Sequence, residues 1–303
     1  MADLSVNVCG VDFANPIITA SGTFGYGREY EKLYPLSKLG GISTKGTTLH
    51  RRTGNLAPRI AETPSGMLNS VGLQNPGIDY FIGTELPNLM TKGTVILSNF
   101  AGASVEECAE AAAKLDETDV HMLELNISCP NVKQGGAAFG TDCKIAAEVT
   151  SAVRKATKKP LIVKLSPNVT SITDIAKSVE AAGADAVSLI NTLLGMRINI
   201  DDRRPILRNN VGGMSGPAVF PIAVRMVWQV ANAVDIPVIG MGGIASGRDA
   251  IEMMMAGASA VQVGAAIFTD PFAPLKIIDE MNEWLDSKGI SSVKEIIGTV
   301  QPW

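Results

Sequence analysis

Short runs of apolar, largely β-branched residues alternate along the chain with longer amphipathic stretches. The apolar runs cover residues 16–20, 41–44, 95–99, 122–126, 161–165, 186–190, 237–240 and 260–263. This alternation predicts strand–helix units and a parallel sheet. The intervening stretches carry helix start signals. Ser104 with Glu107 fits a capping box, and Val105, Cys108, Ala109, Ala112 and Leu115 then share one face. Ser171 with Asp174, and Ser246 with Asp249, repeat the pattern with the shorter acid. Gly183 and Gly257 fall where helices should stop, because glycine tolerates the left-handed turn there.

Eight strands with alternating helices make an α/β TIM barrel, (β/α)8, the leading architecture, with an open doubly wound sheet as the alternative. Residues 4–13 fit a short N-terminal hairpin closing the barrel floor. Three connections are long, 45–77, 127–141 and 191–216, and long loops on a compact scaffold usually carry function. The chain of 303 residues, 46% hydrophobic, is expected to form one domain over 1–303.

Composition narrows the chemistry. A net charge of -4 argues against a nucleic-acid partner, which would require clustered Lys and Arg. The longest apolar stretch, 251–268, is interrupted by Glu252, Gly257, Ser259 and Gln262, so no membrane span is expected. Met1-Ala2-Asp3 opens without the basic and apolar regions of a signal peptide. Four cysteines in a chain this long do not make a disulfide framework, so reduced thiols in a cytoplasmic protein are expected. The two histidines, His50 and His121, leave no room for a multi-histidine metal site, and no metal is expected.

In a barrel of this kind the active site is built at the C-terminal strand ends. Read in order, those ends give Ser21, Lys45, Asn99, Asn126, Lys164, Asn191, Gly242-Gly243 and Gly264. Amides and two cations would therefore ring one mouth. The segment Gly240-Met-Gly-Gly-Ile-Ala-Ser-Gly247 follows the seventh strand and Val263-Gly-Ala-Ala266 the eighth. Loops after these strands often bind phosphate, glycine letting backbone amides approach the anion closely. A dinucleotide fingerprint fits poorly, since no acid follows for a ribose; the phosphate of a mononucleotide such as FMN fits better. After the fourth strand comes Asn126-Ile-Ser-Cys-Pro-Asn131, then Gly135-Gly136 and Phe139-Gly-Thr-Asp142. A cysteine on such a polar loop can act as base or nucleophile, and the paired glycines suggest a lid that carries Cys129 over a substrate. Cys9, Cys108 and Cys143 read instead as small hydrophobes.

The stretch Asn126-Ile-Ser-Cys-Pro-Asn-Val132 strongly resembles the catalytic-loop motif of class 1 dihydroorotate dehydrogenases. So do Asn69-Ser-Val-Gly-Leu-Gln-Asn-Pro-Gly77, Val163-Lys-Leu-Ser-Pro-Asn168, Ile190-Asn-Thr192, Gly213-Met-Ser-Gly-Pro217 and Gly240-Met-Gly-Gly243, in family order over nearly the whole chain. Lys133-Gln-Gly-Gly136 and Phe139-Gly-Thr-Asp142 look most like class 1B, whose members pass electrons to NAD through a second subunit holding FAD and a [2Fe-2S] cluster.

The resemblance implies oxidation of dihydroorotate to orotate in pyrimidine biosynthesis, by an FMN-bearing subunit that is a homodimer within a heterotetramer. It implies that Cys129 takes the substrate proton, that Lys164 stabilises charge on the reduced flavin, and that Lys45 lies at the flavin–substrate junction. Asn69, the backbone of Ser70, Val71, Gly72 and Leu73, Asn126, Asn191 and Thr192 would hold the substrate. Ser21, Lys45, Gly46, Asn99, Asn126, Lys164, Ile190, Gly216, Gly242, Gly243, Gly264 and Ala265 would cradle FMN. A hydroxyl residue is familiar at the position of Ala265, so only the backbone amide is available there. The membrane-bound, quinone-reducing class has an amphipathic extension and a Ser base, and this chain shows neither. Two alternatives stay open: a class 1A homodimer reducing fumarate, and a Schiff-base aldolase using Lys164.

Overall fold

The computed structural model describes residues 2–128 and 139–303. Eight strands close into a barrel: β1 (Ile17–Thr19), β2 (Gly41–Ser43), β3 (Val95–Phe100), β4 (Met122–Asn126), β5 (Leu161–Lys164), β6 (Ala186–Leu189), β7 (Val238–Met241) and β8 (Ala260–Val263). Each pairs in parallel with its sequence neighbours, and β8 returns to β1 through Gln262 opposite Ile18. Every residue of these strands is buried. Helices cover the outer face and side chains fill the inside, so near-continuous Val, Ile and Leu is the composition such strands need. The predicted strands match these eight to within a residue at each end.

Helices α1 (Val105–Asp116), α2 (Cys143–Ala156), α3 (Ile172–Ala181), α4 (Phe220–Ala231), α5 (Gly247–Met255) and α6 (Ala273–Lys288) pack around the barrel. Their caps largely follow the sequence signals. Ser246 and Asp249 form a complete capping box at α5. Ser171 Oγ accepts from Asp174 N at 3.4 Å to start α3. At α1, Ser104 Oγ accepts from Glu107 N, but the Glu107 carboxylate takes the amide of Ala103 instead of that of Ser104. The buried face of α1 is Cys108, Ala111, Ala112 and Leu115, so Ala111 takes the inward position expected of Ala109. Gly183 and Gly257 follow the ends of α3 and α5 at φ of 99° and 117°.

The N-terminal hairpin pairs Val6–Val8 with Val11–Phe13 and turns its buried side toward the barrel. Phe13 packs at the base of β2, where a Cβ added to Gly41 would meet its ring at 3.0 Å.

Two of the long connections are not loops. Ile60–Thr63 and Gly66–Asn69, between β2 and β3, join Leu193–Gly195 and Gly212–Ser215, between β6 and β7, in one four-stranded antiparallel sheet. This sheet stands beside the barrel mouth and is the main departure from the architecture read from sequence. Among the described residues no helix is long and apolar enough to cross a membrane.

Candidate active site

A cavity of ≈ 240 Å³ opens at the C-terminal mouth of the barrel. Lys45 and Gly46 after β2, Asn99 on β3, Asn126 on β4, Lys164 on β5 and Ile190, Asn191 and Thr192 after β6 all line it. Ser21 after β1, Gly242 and Gly243 after β7, and Gly264 and Ala265 after β8 complete the ring. The four-stranded sheet supplies one wall, with Met67, Asn69, Met214 and Ser215 on it, and Gly216, Val71, Gly72 and Leu73 continue that wall. Ser70 is set differently. Its side chain is fully buried off the cavity and its amide donates to Arg59 O at 2.8 Å. Cys129, with Gly135 and Gly136, lies outside the described residues.

The floor of the cavity is a polar layer inside the barrel. In barrels of this kind, alternate strands contribute the side chains of one layer. Here the even strands contribute Ser43, Glu124, Ser188 and Gln262, all at most 1% exposed. Glu124 Oε2 accepts from Ser43 Oγ at 2.6 Å and Asn99 Nδ2 at 2.7 Å. Its Oε1 accepts from Ser188 Oγ at 2.8 Å and Gln262 Nε2 at 2.7 Å. Burial pushes this carboxyl up, but the Lys164 charge and the donated hydrogen bonds outweigh burial and hold it below its ordinary value of 4.5. The carboxylate is ionised, with both oxygens saturated.

Two groups at this floor lack hydrogen-bond partners among the described residues. Asn99 Oδ1 and Gln262 Oε1 are buried carbonyl oxygens without a donor. Beside them Lys164, 5% exposed, lines the same cavity. Buried polar groups are nearly always satisfied, so these point to a bound group with donors for two carbonyls and an electron-rich edge for a cation.

After β7 and β8, the amides of Gly243, Gly264 and Ala265 donate to no acceptor among the described residues. A short helix, Ala266–Thr269, starts there. Clustered unsatisfied amides form an anion-binding concavity. Gly243 has φ of 79°, and a Cβ there would lie 2.8 Å from Phe220 N, so only glycine holds this turn. Gly46 answers a different demand: a Cβ on it would press to 2.7 Å on Asn99 Oδ1.

The substrate-side residues are held by partners that sequence reasoning left without roles. Ser128, 1% exposed, donates from its amide and hydroxyl to Asn126 Oδ1 and receives Asn191 Nδ2 at 2.8 Å on that hydroxyl. Asn168 Nδ2 holds Thr192 O at 3.1 Å, while its Oδ1 takes Leu194 N at 2.9 Å. Asn75 ties Leu73 O to Thr48 and caps Gly77 N. Each of the three stands in a motif quoted above, but only the folded chain shows what it grips. For Glu124 and Gln262 a signal existed: each is a lone polar residue inside an apolar strand.

The other titratable candidates sit elsewhere. His121 Nδ1 accepts from Ile96 N at 3.0 Å, at the start of β3 and away from the mouth. Burial, then the Asp185 charge, pushes the Cys9 thiol up to about 11, and burial pushes the Cys108 thiol up to about 12. Thiols held that high are inert at neutral pH. Among the described residues no cluster of His, Cys, Asp and Glu could hold a metal ion.

A closed parallel barrel with cations, amides and an anion cradle gathered at its C-terminal mouth has the form of a (β/α)8-barrel enzyme built around a phosphate-bearing cofactor. Residues 3–285 match the model of the dihydroorotate dehydrogenase family. A Bacteroides thetaiotaomicron protein is 57% identical over 302 residues, covering 99% of this chain and 100% of that one. A Phocaeicola vulgatus protein is 56% identical over the same span, and a Geobacter metallireducens protein 57% identical over 300 residues, 99% of this chain and 98% of that one. All three are named dihydroorotate dehydrogenase B (NAD(+)), catalytic subunit. The chain belongs to the dihydroorotate dehydrogenase family.

Proposed function

We propose that this chain, as one flavin-binding barrel over 1–303, oxidises (S)-dihydroorotate to orotate in pyrimidine biosynthesis as an NAD-linked dihydroorotate dehydrogenase. The observation that carries the reading is one cavity whose lining joins an amide-rich wall, an anion cradle and the buried Lys164. FMN bound there would accept the substrate hydride at flavin N5.

The chain's own residues divide the remaining work. The amides of Gly243, Gly264 and Ala265 fit the FMN phosphate. Lys164 sets a buried cation where it would stabilise negative charge on the flavin pyrimidine edge, and the carbonyls of Asn99 and Gln262 would accept hydrogen bonds from the flavin group. Asn69, Asn126, Asn191 and Thr192 match the alternating donors and acceptors of a pyrimidine-dione. Ser128 fixes Asn126 and Asn191 relative to one another, so the two amides act as one rigid surface. Lys45 brings a second cation between the flavin and substrate regions. Cys129 takes the proton; an unperturbed thiol ionises at about 8.5, so turnover should climb toward mild alkali.

The name carried by the relatives supports a partner subunit; a heterotetramer built on a homodimer of this chain, and a cytoplasmic location, belong to the same proposal. FAD and a [2Fe-2S] cluster would reside in that partner. Relatives at 56–57% identity carry NAD(+) in their names, which disfavours the fumarate-reducing class. A Schiff-base aldolase would leave the anion cradle and Cys129 unused together.

The test is an anaerobic absorption spectrum of the purified chain before and after addition of dihydroorotate. A yellow protein that bleaches at once is expected. A yellow protein that does not bleach rejects the substrate, and a colourless protein that takes up no FMN rejects the flavin site.

A further inference from the structure

We propose that Glu124 is a positioning residue of the cofactor site: its ionised carboxylate fixes the Asn99 and Gln262 side chains so that both present carbonyl oxygens to the cavity, and it counter-charges Lys164 from beneath. This rests on the flavin reading above and adds two residues, Glu124 and Gln262, to the machinery that reading requires.

The argument starts from what a carboxylate can do. Ionised, it only accepts hydrogen bonds. A side-chain amide beside it must therefore turn its NH2 inward and its oxygen away. Both amides obey: Asn99 Nδ2 donates to Oε2 and Gln262 Nε2 to Oε1, each at 2.7 Å. Their oxygens are left buried and unsatisfied, and both residues line the cavity. Ser43 and Ser188 fill the remaining lone pairs, so the carboxylate cannot be recruited elsewhere. The result is a floor with two acceptors at fixed positions and no freedom to flip. Such a floor selects a ligand rich in N–H and O–H donors, which describes the flavin imide and the ribityl chain.

The same carboxylate sets the local field. A buried cation alone beneath a flavin would over-stabilise the reduced, electron-rich ring, whereas a negative charge on the far side of that cation moderates it. Lys164 and Glu124 are coupled through space without an ion-pair contact.

The experiment uses the full chain, stripped of flavin and titrated with FMN by fluorescence quenching, together with a reduction potential measured anaerobically on the reloaded protein. Glu124→Gln offers one acceptor and one donor in place of two acceptors. One neighbouring amide must then reverse and present NH2 to the cavity. The expected result is an FMN dissociation constant raised about tenfold, the worth of one buried hydrogen bond lost, and a flavin potential shifted to more positive values. A purely structural role would lower the melting temperature of the flavin-free chain and leave both readouts in place. FMN affinity within twofold of the parent, or a potential that moves negative, overturns the proposal. If Glu124→Gln fails to fold, Gln262→Met carries the test, because it removes one carbonyl and keeps the carboxylate. Several-fold weaker FMN binding is then expected, and unchanged binding overturns the proposal. A parent chain that takes up no FMN defeats the flavin reading itself, whereas a parent that binds beside variants that bind equally well defeats only this inference.

Discussion

Gly213→Ala tests the substrate wall more sharply than any change to a polar residue. Gly213 lies in the four-stranded sheet between Asn69 and Leu194, and Asn69 Nδ2 donates to its carbonyl at 3.4 Å. A Cβ placed on it would stand 1.9 Å from Thr192 Oγ1 and 2.5 Å from Thr192 Cβ. Real Cβ contacts essentially never fall below 3.0 Å, so Thr192 must retreat by more than 1 Å. A new rotamer does not relieve this, because the second clash is with Cβ itself. The retreat is opposed by Asn168, which holds Thr192 O, and by the sheet on Gly213's other side. Overpacking of this kind costs about 1–3 kcal/mol. If that cost falls on the bound state, KM for dihydroorotate rises roughly 5- to 150-fold, in line with the effect of displacing a positioning group by about 1 Å. Steady-state kinetics with an artificial acceptor read this directly. Flavin content should stay at the parent level, since Gly213 does not line the cavity. A KM within twofold of the parent, in a protein with full flavin, would refute the reasoning and remove Thr192 from the substrate wall.

Three further outcomes are expected. Cys129→Ala should retain flavin and lose nearly all dihydroorotate oxidation, and near-normal turnover would assign the proton to another group. Lys164→Met should weaken FMN binding about 10- to 100-fold, the range for a hydrogen bond from a charged donor, and shift the flavin potential negative, opposite in sign to Glu124→Gln; a shift of the same sign would contradict the field argument. Acid stability should carry the mark of Glu124. Its folded pKa lies below the unfolded value near 4.5, so its contribution is complete above that value and is lost as pH falls through the lower folded one. Urea midpoints followed downward from about pH 5 should fall more steeply for the parent than for Glu124→Gln.

The barrel was legible because its strands obey one strong rule. Val95–Phe100 or Leu161–Lys164 is buried on both faces, so an unbroken apolar run marks the element and its length together. The four-stranded sheet follows no such rule. Ile60–Thr63 is half exposed, and Leu193–Gly195 and Gly212–Ser215 are largely glycine and mixed apolar residues. Their pairing is decided by tertiary contact and leaves little local imprint. The candidate site divides in the same way. Lys45, Asn99, Asn126, Lys164 and Asn191 could be named because strand ends converge in any closed parallel barrel. Ser70 could not be told from its neighbours, since only the folded hairpin shows its amide spent on Arg59. Glu124 was visible as an acid within Met-Leu-Glu-Leu-Asn, but its meaning needs the four donors that arrive from β2, β3, β6 and β8.

The sheet beside the mouth also fixes an order of events in time. Asn69 reaches its partner Gly213 across 144 residues of chain. At about 5–20 residues added per second, the ribosome delivers that partner roughly 7–30 s after Asn69 has emerged. Until then the hairpin of Ile60–Thr63 and Gly66–Asn69 has an open edge, and Met67 lacks the neighbour Ser215 that pairs with it. Strands β1 to β6 can begin to associate in that interval, but the surface meant for the substrate cannot. Catalytic competence is therefore among the last properties the nascent chain acquires. Slow elongation between β3 and β6 would lengthen the period in which an unpaired, sticky strand is offered to other chains, so yield during expression should depend on translation speed there more than in the final third of the sequence.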